Sequence, residues 1–162
     1  MSKFVIHKHD ASSLHYDLRL EVEGTGKSWA VPKGPSTDPR EKRLAIPTED
    51  HELDYFDFEG VIPEGEYGAG TVMVWDRGTY KSLDEERGVR EAIEDGRLKV
   101  WLDGEKIKGG YALIETGERW LLVKMDDDEA DARRNPSSTE PKSVKSGRTL
   151  EEIKESEKSS GN

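Results

Sequence analysis

The chain has 162 residues, no cysteine, 25 basic against 35 acidic side chains and a formal net charge of −10. Disulfide frameworks and thiolate chemistry are excluded, and no apolar run is long enough to cross a membrane as a helix. The acidic balance argues against non-specific grip on a long polyanion, which needs many Lys and Arg on phosphates. The opening Met1–His7 lacks the apolar stretch of a signal peptide, so a cytoplasmic address and no membrane contact are expected.

In chain order, Phe4–Ile6 reads as a first strand. Leu14 to Glu23 then alternates strictly: Leu14, Tyr16, Leu18, Leu20 and Val22 share one face, and His15, Asp17, Arg19, Glu21 and Glu23 the other. That is a strand with a core face and an expected wet face. Further β-prone runs follow at Ser28–Val31, Leu44–Ile46, Thr71–Trp75, Leu98–Leu102, Tyr111–Ile114 and Trp120–Met125. The spacing predicts a helix between strands over Leu83–Glu94, weakened by Gly88, and a tight hairpin turn at Asp103-Gly104. Many short strands without a βαβ rhythm predict a mainly β protein, a small antiparallel barrel of about eight strands with one short helix.

Residues 1–125 hold 47 hydrophobic residues and all twelve aromatics, whereas Asp126–Asn162 holds five hydrophobics in 37 residues. The expected organisation is a folded domain over 1–125 and a polar, largely disordered tail over 126–162. Thr149 and Glu152 have capping-box spacing for a short helix near 149–156.

All four histidines fall within the first 51 residues, three of them at His7, His9 and His15. His9, His15 and Asp17 form a two-imidazole, one-carboxylate set, a donor group that suits a divalent transition metal while leaving positions for substrate and water. Surface histidines are the plainer reading of any such pair. Strand parity argues against it here, because antiparallel pairing would bring the His7/His9 row beside His15 and Asp17. Arg19 continues that row, either as a salt bridge to Asp17 or Glu21 or as a guanidinium fork for a phosphate oxygen. Lys33 and Arg43 extend the positive ground: residues 1–43 carry eight basic against six acidic side chains. His51, in Glu49-Asp50-His51, is either solvated or a proton donor near neutral pH. The Gly-rich Pro63–Thr71 stretch reads as a turn into a strand, not a phosphate loop.

Taken together, Phe4-Val5-Ile6-His7-Lys8-His9, Leu14–Leu20, Ser28-Trp29-Ala30-Val31-Pro32-Lys33-Gly34, Glu49-Asp50-His51 with Tyr55, Phe58-Glu59-Gly60 and Gly65–Gly70 resemble the 3′-phosphoesterase domain of bacterial and archaeal DNA ligase D, from Phe4 to about Met125. The resemblance implies a manganese-dependent hydrolase with its site in a groove on the outer barrel surface. It further implies that His9, His15 and Asp17 are metal ligands, that Arg19, His51 and Tyr55 surround the phosphate, and that Lys33, Arg43 and Glu49 support activity. The implied reaction trims a DNA primer-template 3′ end in non-homologous end joining, first a terminal ribonucleoside and then the 3′-phosphate. Implied partners are a separate DNA ligase, a polymerase or primase, and Ku. His7 stands where the family often has Gln. Pro141–Val144 and Ser146–Ile153 resemble the linker into the ligase module of fused relatives, which implies a docking role for the tail. Two rival readings keep the same residues: a DNA-end binding adaptor without catalysis, and an iron dioxygenase built on His15, Asp17 and His51.

Overall fold

A computed structural model describes residues 2–160. Nine strands form one antiparallel sheet: β1 (Ser2–Asp10), β2 (Leu14–Val22), β3 (Thr25–Val31), β4 (Lys42–Glu52), β5 (Gly60–Ile62), β6 (Gly70–Ser82), β7 (Arg97–Gly104), β8 (Lys108–Thr116) and β9 (Arg119–Lys124). Their spatial order is β1-β2-β3-β4-β9-β8-β7-β6, and pairing of β1 with β6 closes the eight into a barrel. The short β5 pairs with the first residues of β6. Closure leaves the barrel strands no free edge, which removes the usual hazard of strand addition.

The interior is filled by one residue in two from each strand, among them Phe4, Ile6, Leu18, Leu20, Trp29, Met73, Trp75, Leu98, Leu102, Tyr111 and Trp120. Two interior residues with a polar end find backbone partners: Tyr111 donates to the Ser36 carbonyl at 2.8 Å and Trp75 Nε1 to the Glu140 carbonyl at 2.7 Å. Outside the barrel, a 3-10 turn over Leu53–Asp57 packs Phe56 against Val5 and Val74. Gly26 of β3 makes room for it, because a Cβ there would stand 2.5 Å from Phe56 Cε1.

Three expectations shift. The helix starts late, as α1 (Val89–Glu94), because Asp84 instead turns the chain by accepting the Glu86 and Arg87 amides. The β7–β8 turn lies two residues beyond Asp103-Gly104, at Glu105-Lys106, where the buried Asp76 carboxylate accepts the amides of Glu105, Lys106 and Ile107. Gly104 serves close approach and not positive φ: a Cβ there would meet Asp76 Oδ2 at 2.4 Å.

Residues 126–160 of the tail lie against the barrel. They hold α2 (Pro136–Thr139) and α3 (Leu150–Ser160), and Thr149 and Glu152 exchange hydrogen bonds as a capping box. Ile153 is fully buried with Leu150 beside the barrel core, and Val144 packs near Val5, Phe56 and Val74. The few apolar residues are thus the ones that dock. Polar contacts supply the rest, through a buried Glu59 that accepts from Val74 N at 2.9 Å, from Arg148 at 3.2 Å, and from the hydroxyls of Ser143 and Ser146.

Candidate metal centre and phosphate pocket

The site grows from the outer faces of three neighbouring strands. Antiparallel register sets His9 opposite His15, His7 opposite Asp17 and Val5 opposite Arg19 across β1 and β2. Across β2 and β3 it sets Asp17 opposite Ala30 and Arg19 opposite Ser28. Side chains on opposed positions share a face, so the histidine row and the His15-Asp17-Arg19 row become adjacent by geometry alone.

His9, His15 and Asp17 offer three ligand atoms within 4.8 Å of one another. Backbone carbonyls fix both rings. His9 Nε2 donates to the Gly68 carbonyl at 2.8 Å and His15 Nδ1 to the Ser13 carbonyl at 3.1 Å. In the neutral rings the lone pairs are therefore on His9 Nδ1 and His15 Nε2, and these face the same carboxylate at 3.5 and 3.3 Å. Two imidazole lone pairs and a carboxylate aimed at one point, each ring oriented by a second hydrogen bond, fit a divalent transition metal. Burial by itself would raise the Asp17 carboxyl. With no metal between them, the rings in their protonated form donate to it from His15 Nε2 and His9 Nδ1, and these bonds and the Arg19 charge outweigh burial and hold it far below the usual carboxylate range.

Arg19, only 3% exposed, is held by three different partners. Its Nη2 donates to Asp17 at 3.1 Å, Nη1 to Ser28 Oγ at 2.9 Å and Nε to His7 Nδ1 at 3.0 Å. Because Arg Nε can only donate, His7 Nδ1 must accept, and its protonated Nε2 donates to the Phe58 carbonyl at 3.1 Å. Burial and the neighbouring Arg19 push His7 well below its ordinary value, which keeps this tautomer neutral. Among the described residues, three of the five guanidinium N–H groups are engaged and two are not.

His51 sits near the end of β4. It stacks on Tyr55 at 4.5 Å between ring centroids, Tyr55 stacks on Phe58 at 5.3 Å, and the Arg19 guanidinium lies 5.0 Å from the Tyr55 ring. Burial, then the Arg19 charge, lowers His51 from its ordinary value. His9, His15, Asp17, Arg19, His51 and Tyr55 line one cavity of about 330 Å³.

Lys33, Arg43 and Glu49 do not line it. Arg43 is bound to Glu41 at 2.8 Å and to the carbonyls of Lys33 and Gly34, so it braces the loop leading into β4. Sequence reading missed Ser28, whose buried hydroxyl orients Arg19, and Thr48 and Tyr67 on the cavity wall. Ser28 was legible in principle, since it lies one strand over from Arg19 on the same face.

The sequence of this chain matches the family model for the DNA ligase D 3′-phosphoesterase domain over residues 7–115. It is 54% identical over 155 residues to the multifunctional non-homologous end joining protein LigD of Pseudomonas aeruginosa, an alignment covering 91% of this chain and 18% of that protein. It is 48% identical over 131 residues to the protein of the same description from Mycolicibacterium smegmatis, covering 77% and 17%. With the multifunctional non-homologous end joining DNA repair protein LigD of Mycobacterium tuberculosis it shares 50% over 123 residues, covering 75% and 16%. The chain thus spans less than a fifth of the length of these curated relatives.

Proposed function

The chain belongs to the DNA ligase D 3′-phosphoesterase domain family, and on that premise we propose that it is a metal-dependent hydrolase of DNA 3′ ends in non-homologous end joining. Its substrate is a primer-template whose 3′ end carries a ribonucleoside or a phosphate. The chain removes the terminal ribonucleoside as a phosphodiesterase, then the remaining phosphate as a phosphomonoesterase, leaving a hydroxyl for a ligase. Polymerase or primase, ligase and Ku are the partners this role calls for. The observation that carries the reading is the convergence of His9, His15 and Asp17 beside an Arg19 with two uncommitted N–H groups.

His9 Nδ1, His15 Nε2 and an Asp17 oxygen would hold the metal, for which manganese is the family's implied choice. Bound there, a divalent ion would supply a Lewis acid for a phosphoryl oxygen and would lower the pKa of water. Arg19 donates its two spare N–H groups to the non-bridging oxygens, where charge concentrates in the transition state. His7, Ser28 and Asp17 hold the guanidinium so that little reorganisation accompanies reaction. His51 donates to a phosphate oxygen or protonates the leaving alkoxide, and its stack on Tyr55 fixes the ring plane. Tyr55 itself supplies a hydroxyl to the phosphate. Lys33, Arg43 and Glu49 act from outside the cavity, through the loop before β4 and the strand that carries His51.

The dioxygenase reading took His51 as its third group, whereas the ligand atoms that cluster with His15 and Asp17 are those of His9. The test is a gel assay of a 5′-labelled primer-template ending in one ribonucleotide. Manganese-dependent shortening to a 3′-phosphate and then a 3′-hydroxyl, abolished by EDTA and by His9→Ala, is expected. Binding of the primer without shortening would instead favour an end-binding adaptor.

A further inference from the structure

The cavity has two kinds of wall. Its floor is the charged set His9, His15, Asp17 and Arg19, and its outer lip includes Ala11, Ile62, Tyr67 and Gly68. Tyr67 is 70% exposed, the most exposed large hydrophobic side chain among the described residues. Single exposed apolar residues are ordinary on a protein surface, and what sets Tyr67 apart is its position. Gly68, the next residue, gives its carbonyl to His9 Nε2, and the loop is closed by Glu66 N to the Pro63 carbonyl at 3.3 Å and Ala69 N to the Glu66 carbonyl at 3.1 Å. The ring is therefore carried by a segment tied to the candidate metal ligand itself. Among the described residues it stacks on no other ring.

We propose that Tyr67 is a stacking platform for the base of the 3′-terminal nucleoside, the group that leaves in the first step. A phosphate seated on the floor must carry its esterified nucleoside outward, and the lip is what it meets. A chain of net charge −10 has little to gain from general phosphate contacts. Base–aromatic stacking supplies a hold that is independent of charge and tolerant of sequence, because every base has a π-face. The inference rests on the preceding reading that a 3′-ribonucleoside end is the substrate, and it adds a subsite to that reading.

Two measurements on the full chain test it. In the first, kcat/KM is compared for primers ending in an ordinary ribonucleotide and in an abasic ribose, with wild type, Tyr67→Phe and Tyr67→Ala. Tyr67→Ala is expected to lose about tenfold on the ordinary end and to match wild type on the abasic end, while Tyr67→Phe keeps the wild-type preference. Equal losses on both ends, or no loss on either, would overturn the proposal. The second needs no turnover: a primer ending in 5-iodouridine is irradiated with the protein in EDTA. A cross-link mapped to residue 67 is expected in wild type and Tyr67→Phe and not in Tyr67→Ala. A cross-link to another residue, or one formed from the penultimate position instead, would overturn it. Were wild type inactive on every 3′ end, the enzymatic reading would fail, and the cross-link would still decide whether Tyr67 holds a terminal base.

Discussion

The two faces of β2 carry the comparison that explains this molecule. Inward, Tyr16, Leu18, Leu20 and Val22 join the barrel interior. Outward, Asp17 and Arg19 are just as inaccessible, at 4% and 3% exposure, although they alternate with those apolar residues like the wet face of any amphipathic strand. The inner face gains free energy from leaving water, whereas the outer face gives up hydration of charged groups and recovers it only through specific partners. A buried polar face can thus be satisfied in one arrangement only. That same requirement makes it rigid enough to serve a reaction.

Breaking the two faces separately should cost similar stability and very different activity. Asp17→Ala is expected to have the largest effect: removal of a candidate metal ligand should abolish measurable turnover, a loss of at least about a thousandfold. It also strands Arg19 without its carboxylate, so metal-free protein should lose roughly 3–5 kcal/mol in denaturant titrations. Leu18→Ala should lose a comparable ~2–5 kcal/mol by leaving a cavity, with kcat/KM per folded molecule within about twofold of wild type. Equal activity losses in the two variants would dissolve the distinction between the faces. His51→Ala comes next. A loss of about a hundredfold in turnover is expected if it works as an acid, and unchanged turnover removes it from the mechanism.

The barrel and the set that converges on it were largely legible, because both depend on period two. Alternation assigned Tyr16, Leu18 and Leu20 to one face and His15, Asp17 and Arg19 to the other, and antiparallel neighbours then brought His9 alongside. What alternation cannot show is a roof. Burial of the outer face comes from the 3-10 turn at Leu53–Asp57, seated where Gly26 leaves space, and from Phe58, whose carbonyl receives His7. These contacts join residues far apart in the chain, and no local pattern announces them. The contacts of the tail are hidden for a related reason. Its apolar residues are too sparse to suggest a core of their own, yet Ile153 packs with the barrel core and Val144 against the cluster of Val5, Phe56 and Val74.

A second contrast separates tail from barrel, and pH can break it. Burial would raise the Glu59 carboxyl, but the hydroxyls of Ser143 and Ser146, the Val74 amide and Arg148 together lower it. A carboxyl whose value is lower in the folded than in the unfolded state contributes stability that is present above the ordinary glutamate value and is lost as pH falls through the folded one. Wild type is therefore expected to lose stability from this contact as pH drops through the acidic range, and Glu59→Gln to lack that component of the slope. Parallel thermal melts from pH 7 downward measure it. Identical slopes would mean that the 143–148 segment docks through its apolar contacts alone.

The smallest effect concerns Thr48, which lies across from Ser28 on the outer face and lines the same cavity. Its hydroxyl is buried without a hydrogen-bond partner among the described residues, whereas the Ser28 hydroxyl both receives Arg19 and donates to the Gly26 carbonyl. The same functional group on adjacent strands is thus a cost in one place and a support in the other. An unpaired buried hydroxyl destabilises by about 1 kcal/mol or more, so Thr48→Val, nearly the same shape, should raise stability by about that amount. Ser28→Ala should instead lower it, by about 1.5–3 kcal/mol, because a charged donor loses its acceptor. Both changes can be read as midpoint shifts at constant slope in urea. A destabilised Thr48→Val would show that its hydroxyl has a partner after all, and would make the two strands alike where the structure makes them differ.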